Sequence, residues 1–197
     1  MAFHTRQLAV LLFLSLLCLA PNPSQASADP ALRQLLKEAI ESDSGFEDRF
    51  DAQVWLLDMS RRLKKFVADP EVRIPLLKQV HYESKRVGIE PELVLAVILV
   101  LAVIEVESRF DEFAISVSGA RGLMQVMPFW LNEIGISDDN LFKIRTNLRM
   151  GCTILRYYID MEPNDLGRAL ARYNGSLDKS VYPNKVISAL HKHWFKQ

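Results

Sequence analysis

The longest uninterrupted apolar run in the chain, residues 93–104, constrains the fold more than any other feature. It consists of one hexamer, LVLAVI, written twice in succession. Twelve residues fall short of the about twenty that a helix needs to cross a membrane. The run therefore predicts a helix buried in the core of a globular domain.

A carboxylate, Glu107, follows where this helix should end, and a turn-rich segment at 116–122 comes next. Burying a carboxylate costs several kcal/mol unless the group is paired, protonated or functional. Glu107 is therefore a candidate acid with a raised pKa. Glu105 is the second candidate, but it lies about 200° away around the helix, so the two cannot share one site.

Composition excludes several classes of function. The 197 residues carry no formal net charge, so there is no sign of the basic surface that nucleic acid requires. No zinc or calcium motif is present, and His191 and His193 point to different sides of a helix. We expect no metal and no cofactor. Past residue 28 the chain has a single cysteine, Cys152, which we expect to be a small buried hydrophobe.

Residues 1–28 have the pattern of a secretory signal peptide: His4 and Arg6, an apolar core at 8–20, and a small-residue site at 26–28. Cys18 would suit a lipoprotein, but the bulky Leu17 before it favours cleavage after Ala28. After the leader we expect no membrane span. We divide the rest into an N-terminal helical segment, 29–70, and a catalytic domain, 71–197.

Periodicity and caps predict an all-α fold, a single helical domain with room for one short hairpin near Ser116. The predicted helices span residues 30–42, 48–68, 72–87 closed by Gly88, one from Pro91 through the apolar run, 123–131 interrupted at Pro128, one from Thr146 or Asn147 to about 160, 166–173, and 186–195. We expect a loop at 135–140.

Three separated motifs carry a resemblance to a known family. They are Glu107-Ser108-x-Phe110, then the stretch at 119–128 (GARGLMQVMP), then Ala171-x-Tyr173-Asn174. From about Ile74 to the C-terminus the chain resembles the soluble lytic transglycosylase domain of the goose-lysozyme-like superfamily. Val117 stands where the family often has proline, and Arg172 where it often has alanine.

The resemblance implies a periplasmic enzyme that cleaves the glycan strands of peptidoglycan and leaves 1,6-anhydro-muramic ends. Glu107 would act as acid and then as base, with the 2-acetamido group of the substrate assisting. Ser116 and Gln125 would bind the acetamido and neighbouring sugar groups. Tyr173 would orient Glu107 or the substrate, Asn174 would bind the sugar, and Met127 would help to line the site.

Two alternatives stay open. A muramidase could use the same glutamate with water, and a murein-binding or secretion-scaffold protein could lack activity altogether. The resembling family has one hexamer where this chain has two. We therefore expect about two added helical turns, or a bulge between Pro91 and Leu99, with the apolar residues of the added turns poorly covered. On this view, deleting residues 99–104 should raise the melting temperature and keep or improve activity.

Overall fold

A computed structural model describes residues 49–88, 93–133 and 140–195. Within these ranges the chain forms seven α-helices and a closing π-helical segment, Leu190–Trp194. The α-helices in chain order are α1 Arg49–Leu63, α2 Pro70–Val87, α3 Leu93–Glu107, α4 Phe129–Glu133, α5 Ile144–Met161, α6 Leu166–Tyr173 and α7 Val181–Ala189. The all-α prediction is confirmed. The predicted signal peptide, the helix at 30–42, Pro91 and most of the loop at 135–140 lie outside the described residues.

Helix α3 is the centre of the molecule. It packs against α2, α7 and the π-helical segment. Every residue from 96 to 104 is at most 6% exposed, as expected for a helix that is apolar on all sides. The expectation of a poorly covered apolar patch is therefore wrong for these positions. Both copies of the hexamer contribute to one continuous core, which the neighbouring helices enclose.

Helices α1 and α2 pack against each other beside α3. Asp69 caps α2 by accepting from the Glu71 amide, Pro70 starts the helix, and Gly88 closes it with a left-handed φ of 57°. The C-terminus of α2 is where the sequence places it, and its start lies two residues earlier. Leucines of α1 are buried in the same core as α3. The division at residue 70 stays a prediction.

The segment between α3 and α4 is not helical where the sequence predicts a helix. From Gly122 to Met127 the backbone turns, and two isolated bridges join Arg121 to Ile115 and to Val126. These bridges are all that the described chain forms in place of the allowed hairpin. The predicted helix at 123–131 is wrong for its first half, because Gln125 has a φ of 48° and the amides pair across the turn.

Asn147 explains why this turn is stable. Its side-chain oxygen accepts from the Met124 amide at 2.8 Å, and its nitrogen donates to Arg121 O at 2.7 Å and Leu141 O at 2.9 Å. The side chain is fully buried, and these bonds satisfy backbone groups that a helix would otherwise pair. Asn147 is therefore not the predicted cap of α5. That helix begins at Ile144, and Asn147 lies in its first turn.

Helix α7 and the π-helical segment pack against α3, and α6 packs against α5 and α7. Helix α6 spans the predicted residues 166–173, capped by Asp165 and followed by Gly175 with a φ of 69°. The sequence predicts that the last helix begins at residue 186, but α7 starts five residues earlier, at Val181. Pro183 lies in its first turn, where a proline costs no helical hydrogen bond. Within the described residues, no helix combines the length and apolarity needed to cross a membrane.

Candidate active site

Glu107 is the last residue of α3, and the chain around it is tightly fixed. The Ser108 hydroxyl lies 2.8 Å from Leu123 O and 3.2 Å from Ile104 O, and it accepts from the Phe110 amide. The two residues after Ser108 then adopt positive φ values of 54° and 68°. The helix therefore ends abruptly, with its end bonded to the Gly122 turn, and this geometry fixes the backbone position of Glu107.

A cleft of about 380 Å³ opens at this end of α3. It is bounded by the last turn of α3, the loop after α6 and the first turns of α7. The described residues that line it are Val106, Glu107, Asn174, Ser176, Lys179, Val181, Tyr182 and Lys185.

The Glu107 carboxyl is largely removed from water, and burial raises its pKa from 4.5 to about 7. The Tyr182 hydroxyl donates to Glu107 Oε1 at 2.5 Å and opposes the shift, because it stabilises the ionised carboxylate. Burial and the nearby Glu107 charge raise the pKa of Tyr182 well above its usual value. A carboxyl group with a pKa near 7 can both give and take a proton at neutral pH.

Glu105 lies on the opposite face of α3, as its spacing predicts. Its Oε2 accepts from Trp194 Nε1 at 2.8 Å, and its Oε1 lies 2.7 Å from His193 Nδ1. Both partners belong to the π-helical segment, and Glu105 is not among the residues that line the cleft. Glu105 therefore links the π-helical segment to α3.

Of the residues predicted to bind substrate, Asn174 lines the cleft with Glu107. The Tyr173 hydroxyl donates to Met124 O at 2.8 Å. Gln125 donates through its amide to Ala114 O and Gly122 O. Ser116 Oγ accepts from the Ala120 amide at 3.0 Å. Among the described residues, the cleft lining does not include Ser116, Gln125, Tyr173 or Met127, and the first three hold the loop in shape.

The family model described as "Transglycosylase SLT domain" matches residues 80–182, just over half of the chain. The chain belongs to this family. The SLT match starts within α2 and ends at Tyr182, so it contains the complete Glu107 loop, α6 and most of the cleft.

Two relatives of this SLT protein share the name membrane-bound lytic murein transglycosylase C. They come from Actinobacillus pleuropneumoniae serotype 5b (strain L20) and serotype 3 (strain JL03). Each is 44% identical to this chain over 55 residues, which is 28% of this chain and 13% of the relative. The matched segment therefore represents only a small part of those proteins. No solved structure matches the chain.

Sequence reasoning did not single out six of the eight described residues that line the cleft, among them Tyr182 and Ser176. Tyr182 donates to the catalytic candidate, and Ser176 lies in the cleft wall. Both lie in or just after a loop whose path depends on α6 and α7 packing together and on α7 packing against α3. The only signal for Tyr182 was an aromatic residue before a proline, a pattern that occurs in many unrelated contexts. Among the described residues, no group of three His, Cys, Asp or Glu side chains could hold a metal ion.

Proposed function

We propose that this protein is a lytic transglycosylase of peptidoglycan that works in the cell envelope, with Glu107 as its single acid and base. The observation that carries the proposal is the partly buried Glu107 carboxyl, which lies in a cleft with a pKa of about 7 and a tyrosine hydroxyl on one oxygen. Membership in the SLT family and the names of the relatives support the same reaction class.

In the proposed reaction, protonated Glu107 donates to the oxygen that links muramic acid to glucosamine, and the glycosidic bond breaks. The substrate's 2-acetamido group stabilises the cationic centre in place of a second carboxylate. Glu107, now ionised, takes the proton of the muramic 6-hydroxyl as that oxygen bonds to the anomeric carbon. The proton count balances, water is not consumed, and the product carries a 1,6-anhydro ring.

Tyr182 fits both halves of this cycle. Its hydroxyl donates to one oxygen of the carboxyl, Oε1, and so orients the group at the cleft that Glu107 lines. It also stabilises the carboxylate that exists between the two proton transfers. Without this bond the pKa of the buried carboxyl group would be higher, so the group would donate its proton less readily.

We favour an enzyme over a scaffold because, even with the doubled hexamer before it, Glu107 lines a cleft together with Asn174 and is not enclosed in the core. A hydrolysing muramidase would need the same residues plus a water molecule. The two reactions therefore differ in their products.

The deciding experiment is digestion of purified murein followed by mass spectrometry of the released fragments. We expect 1,6-anhydro-muramic ends. Reducing muramic ends would establish hydrolysis instead, and the absence of released fragments would support a non-catalytic role. The Glu107→Gln variant, digested in parallel, shows whether the released material depends on this carboxyl.

A further inference from the structure

A larger groove, of about 840 Å³, lies along α5 and has no part in the proposed reaction. Helix α5 lines it with residues spaced three and four apart, which form one stripe on the helix: Thr146, Arg149, Met150, Thr153, Ile154 and Tyr157. The other described residues of its lining are Arg86 of α2, Trp130 and Leu131 of α4, and Lys143 and Arg145 at the start of α5. None of these residues lines the cleft at Glu107. We call this separate surface the α5 groove.

The floor of the α5 groove is apolar and partly open to solvent. Trp130, Met150 and Ile154 pack against the hydrophobic core but are only partly buried, and Tyr157 is 57% exposed. From Arg145 to Tyr157 the groove follows α5 for about 18 Å, at 1.5 Å per residue. A long apolar groove between helices is the kind of site that binds the apolar face of a further helix.

The charge around the α5 groove is positive. Arg86 and Arg149 share one buried carboxylate, Glu83, at 2.5 Å and 3.3 Å, so this cluster keeps a net positive charge. Arg145 adds an exposed cation at the other end of the stripe. No carboxylate is among the described residues of the lining. The occupant that fits the groove is therefore an amphipathic helix that carries acidic side chains.

The chain contains a sequence of this kind before α1. Residues 30–42 are predicted to form an amphipathic helix, which would be about 20 Å long and so would match the groove. Residues 29–48 carry six acidic and two basic side chains. The segments 89–92 and 134–139 also lie outside the described residues, but their large apolar residues are one and two isoleucines respectively. Residues 30–42 are the better match to the groove. Their apolar face consists of Leu32, Leu35, Leu36, Ala39 and Ile40.

The position of α1 brings this segment within reach of the α5 groove. Helices α1 and α2 pack together and are joined by the short connection 64–69, so they run antiparallel. The rings of Trp55 and His81 lie 5.3 Å apart, which places the start of α1 toward the C-terminal end of α2, where Arg86 lines the groove. Residues 43–48 can span up to about 20 Å when extended, which exceeds the width of a helix. The segment can therefore cross α2 and enter the groove.

We propose that residues 30–42 dock as an amphipathic helix in the α5 groove of the same chain. The apolar face of this helix covers Trp130, Met150 and Ile154, and its carboxylates lie near the arginines at the rim. The N-terminal segment and the catalytic domain then share a second apolar contact, remote from Glu107. This inference does not depend on the reaction at Glu107, because the groove and the cleft have no lining residue in common.

Disulfide formation in the full chain tests where the segment docks. Cys152 can stay in place because it is completely buried. Leu36→Cys is combined in turn with Met150→Cys and with Ile154→Cys, two groove positions one helical turn apart. We expect at least one of these pairs to close within one molecule about tenfold faster than the control pairs, because docking raises the effective concentration of the two thiols.

Two kinds of control pair keep the same length of tether. Gln34→Cys lies on the opposite face of the predicted helix and is combined with the same two groove positions. Leu36→Cys is also combined with Ser188→Cys, an exposed position on α7 that does not line the groove. Electrophoresis without reductant distinguishes a disulfide within one chain from a disulfide between two chains.

Hydrogen exchange gives an independent measurement without added cysteines. The amides of residues 30–42 should be protected in the parent protein. Leu36→Asp should remove this protection by placing a charge on the docked face, and Arg145→Glu should weaken it by repelling the acidic segment. Raised salt should reduce the effect of Arg145→Glu but not that of Leu36→Asp. Arg61→Glu is the matched control, since Arg61 is exposed on α1 and does not line the groove.

Three results would overturn the proposal. Fast exchange of residues 30–42 in the parent protein, or equal closure of the groove and control pairs, would mean that the segment does not occupy the groove. Disulfides that join two molecules would mean that the groove binds the segment of a second copy. Circular dichroism of each variant shows that α5 and its neighbours remain folded, and murein digestion by the parent protein tests the catalytic assignment separately.

Discussion

The last turn of α3 carries two glutamates, and the two faces on which they lie differ in kind. On one face both oxygens of Glu105 have partners, Trp194 and His193, and the side chain is 13% exposed. On the other face the Glu107 carboxyl is bonded by Tyr182 through one oxygen, and burial raises its pKa to about 7. Full hydrogen bonding makes the first a structural link. Incomplete bonding in a cleft leaves the second able to exchange a proton.

Both faces depend on the length and rotation of α3, so the largest effect should come from deleting residues 99–104. These six residues are at most 6% exposed, and burial of each large apolar side chain contributes a few kcal/mol, at most about 5. Their combined loss exceeds the about 5–15 kcal/mol that stabilises a typical domain. Because the repeat is buried, we expect the deletion to lower the melting temperature, not to raise it as the sequence alone suggested.

We expect the deletion variant to lose cooperative unfolding and activity together, as measured by thermal denaturation with circular dichroism and by murein digestion. The remaining hexamer is identical to the deleted one. The alternative outcome is therefore that the remaining copy moves into the vacated core positions and the domain still folds. If the variant melts at or above the parent temperature, the second copy is dispensable and the six core positions can be refilled from upstream.

The next largest effect should be the loss of activity in Glu107→Gln. Glutamine keeps the shape but can neither donate nor accept the proton, and a general acid–base group contributes about 10²–10⁴-fold to rate. We expect a fall of about a thousandfold in the release of murein fragments, with the circular dichroism spectrum unchanged.

Glu105→Gln is the matched control two residues away. Its amide can still accept from Trp194 but changes the contact with His193, so we expect a stability loss of about 1–2 kcal/mol and activity within a few-fold of the parent. If Glu105→Gln abolishes digestion while Glu107→Gln retains it, the assignment of the two faces is reversed.

The sequence predicts those parts of the fold that are stabilised by local contacts, and not those stabilised by contacts between distant segments. Helices α2 and α6 have local signals, a proline or aspartate at the start and a glycine after the end, and their predicted C-termini are correct. The Gly122 turn is held by Asn147 from a different helix, so its residues alone suggested a helix. A contact between distant segments leaves little trace in local sequence.

The residues of the site divide in the same way, into those with a local sequence signal and those positioned by tertiary contacts. Glu107 could be predicted because it follows an apolar run and lies within a motif that resembles the family. Its partner Tyr182 is 75 residues away in sequence and reaches it only because α7 packs on α3. The cost of burying Glu107 is likewise a property of the folded cleft. Local sequence therefore indicates the residue and the direction of its pKa shift, whereas the partner follows from tertiary packing.

A third effect concerns stability as a function of pH. The folded protein raises the pKa of Glu107 from 4.5 to about 7, so the folded state binds more protons than the unfolded state between these values. Stability attributable to this group is present below pH 4.5 and is lost as pH rises through about 7, by up to about 3 kcal/mol. Glutamine does not titrate and avoids that loss.

We therefore expect Glu107→Gln to gain melting temperature relative to the parent as pH rises from about 4 to about 8, by roughly 5–10 °C across the window. Parallel melts of the two proteins in buffers of matched ionic strength measure this difference. A difference that is constant across pH would contradict the raised pKa and would place the Glu107 carboxyl in a more solvated position.

The smallest effect distinguishes two tyrosines that both lie near the site. The Tyr182 hydroxyl stabilises the ionised Glu107, so Tyr182→Phe should raise the pKa of that carboxyl further, by up to about one unit. The pH profile of kcat/KM on murein should move toward higher pH accordingly. Tyr173→Phe is the control, because its hydroxyl donates to Met124 O and supports the loop. It should lower the melting temperature but leave the profile midpoint in place. If both variants move the midpoint equally, the cleft responds to loop packing as a whole, and the bond to Tyr182 has no separate role in setting the acidity of Glu107.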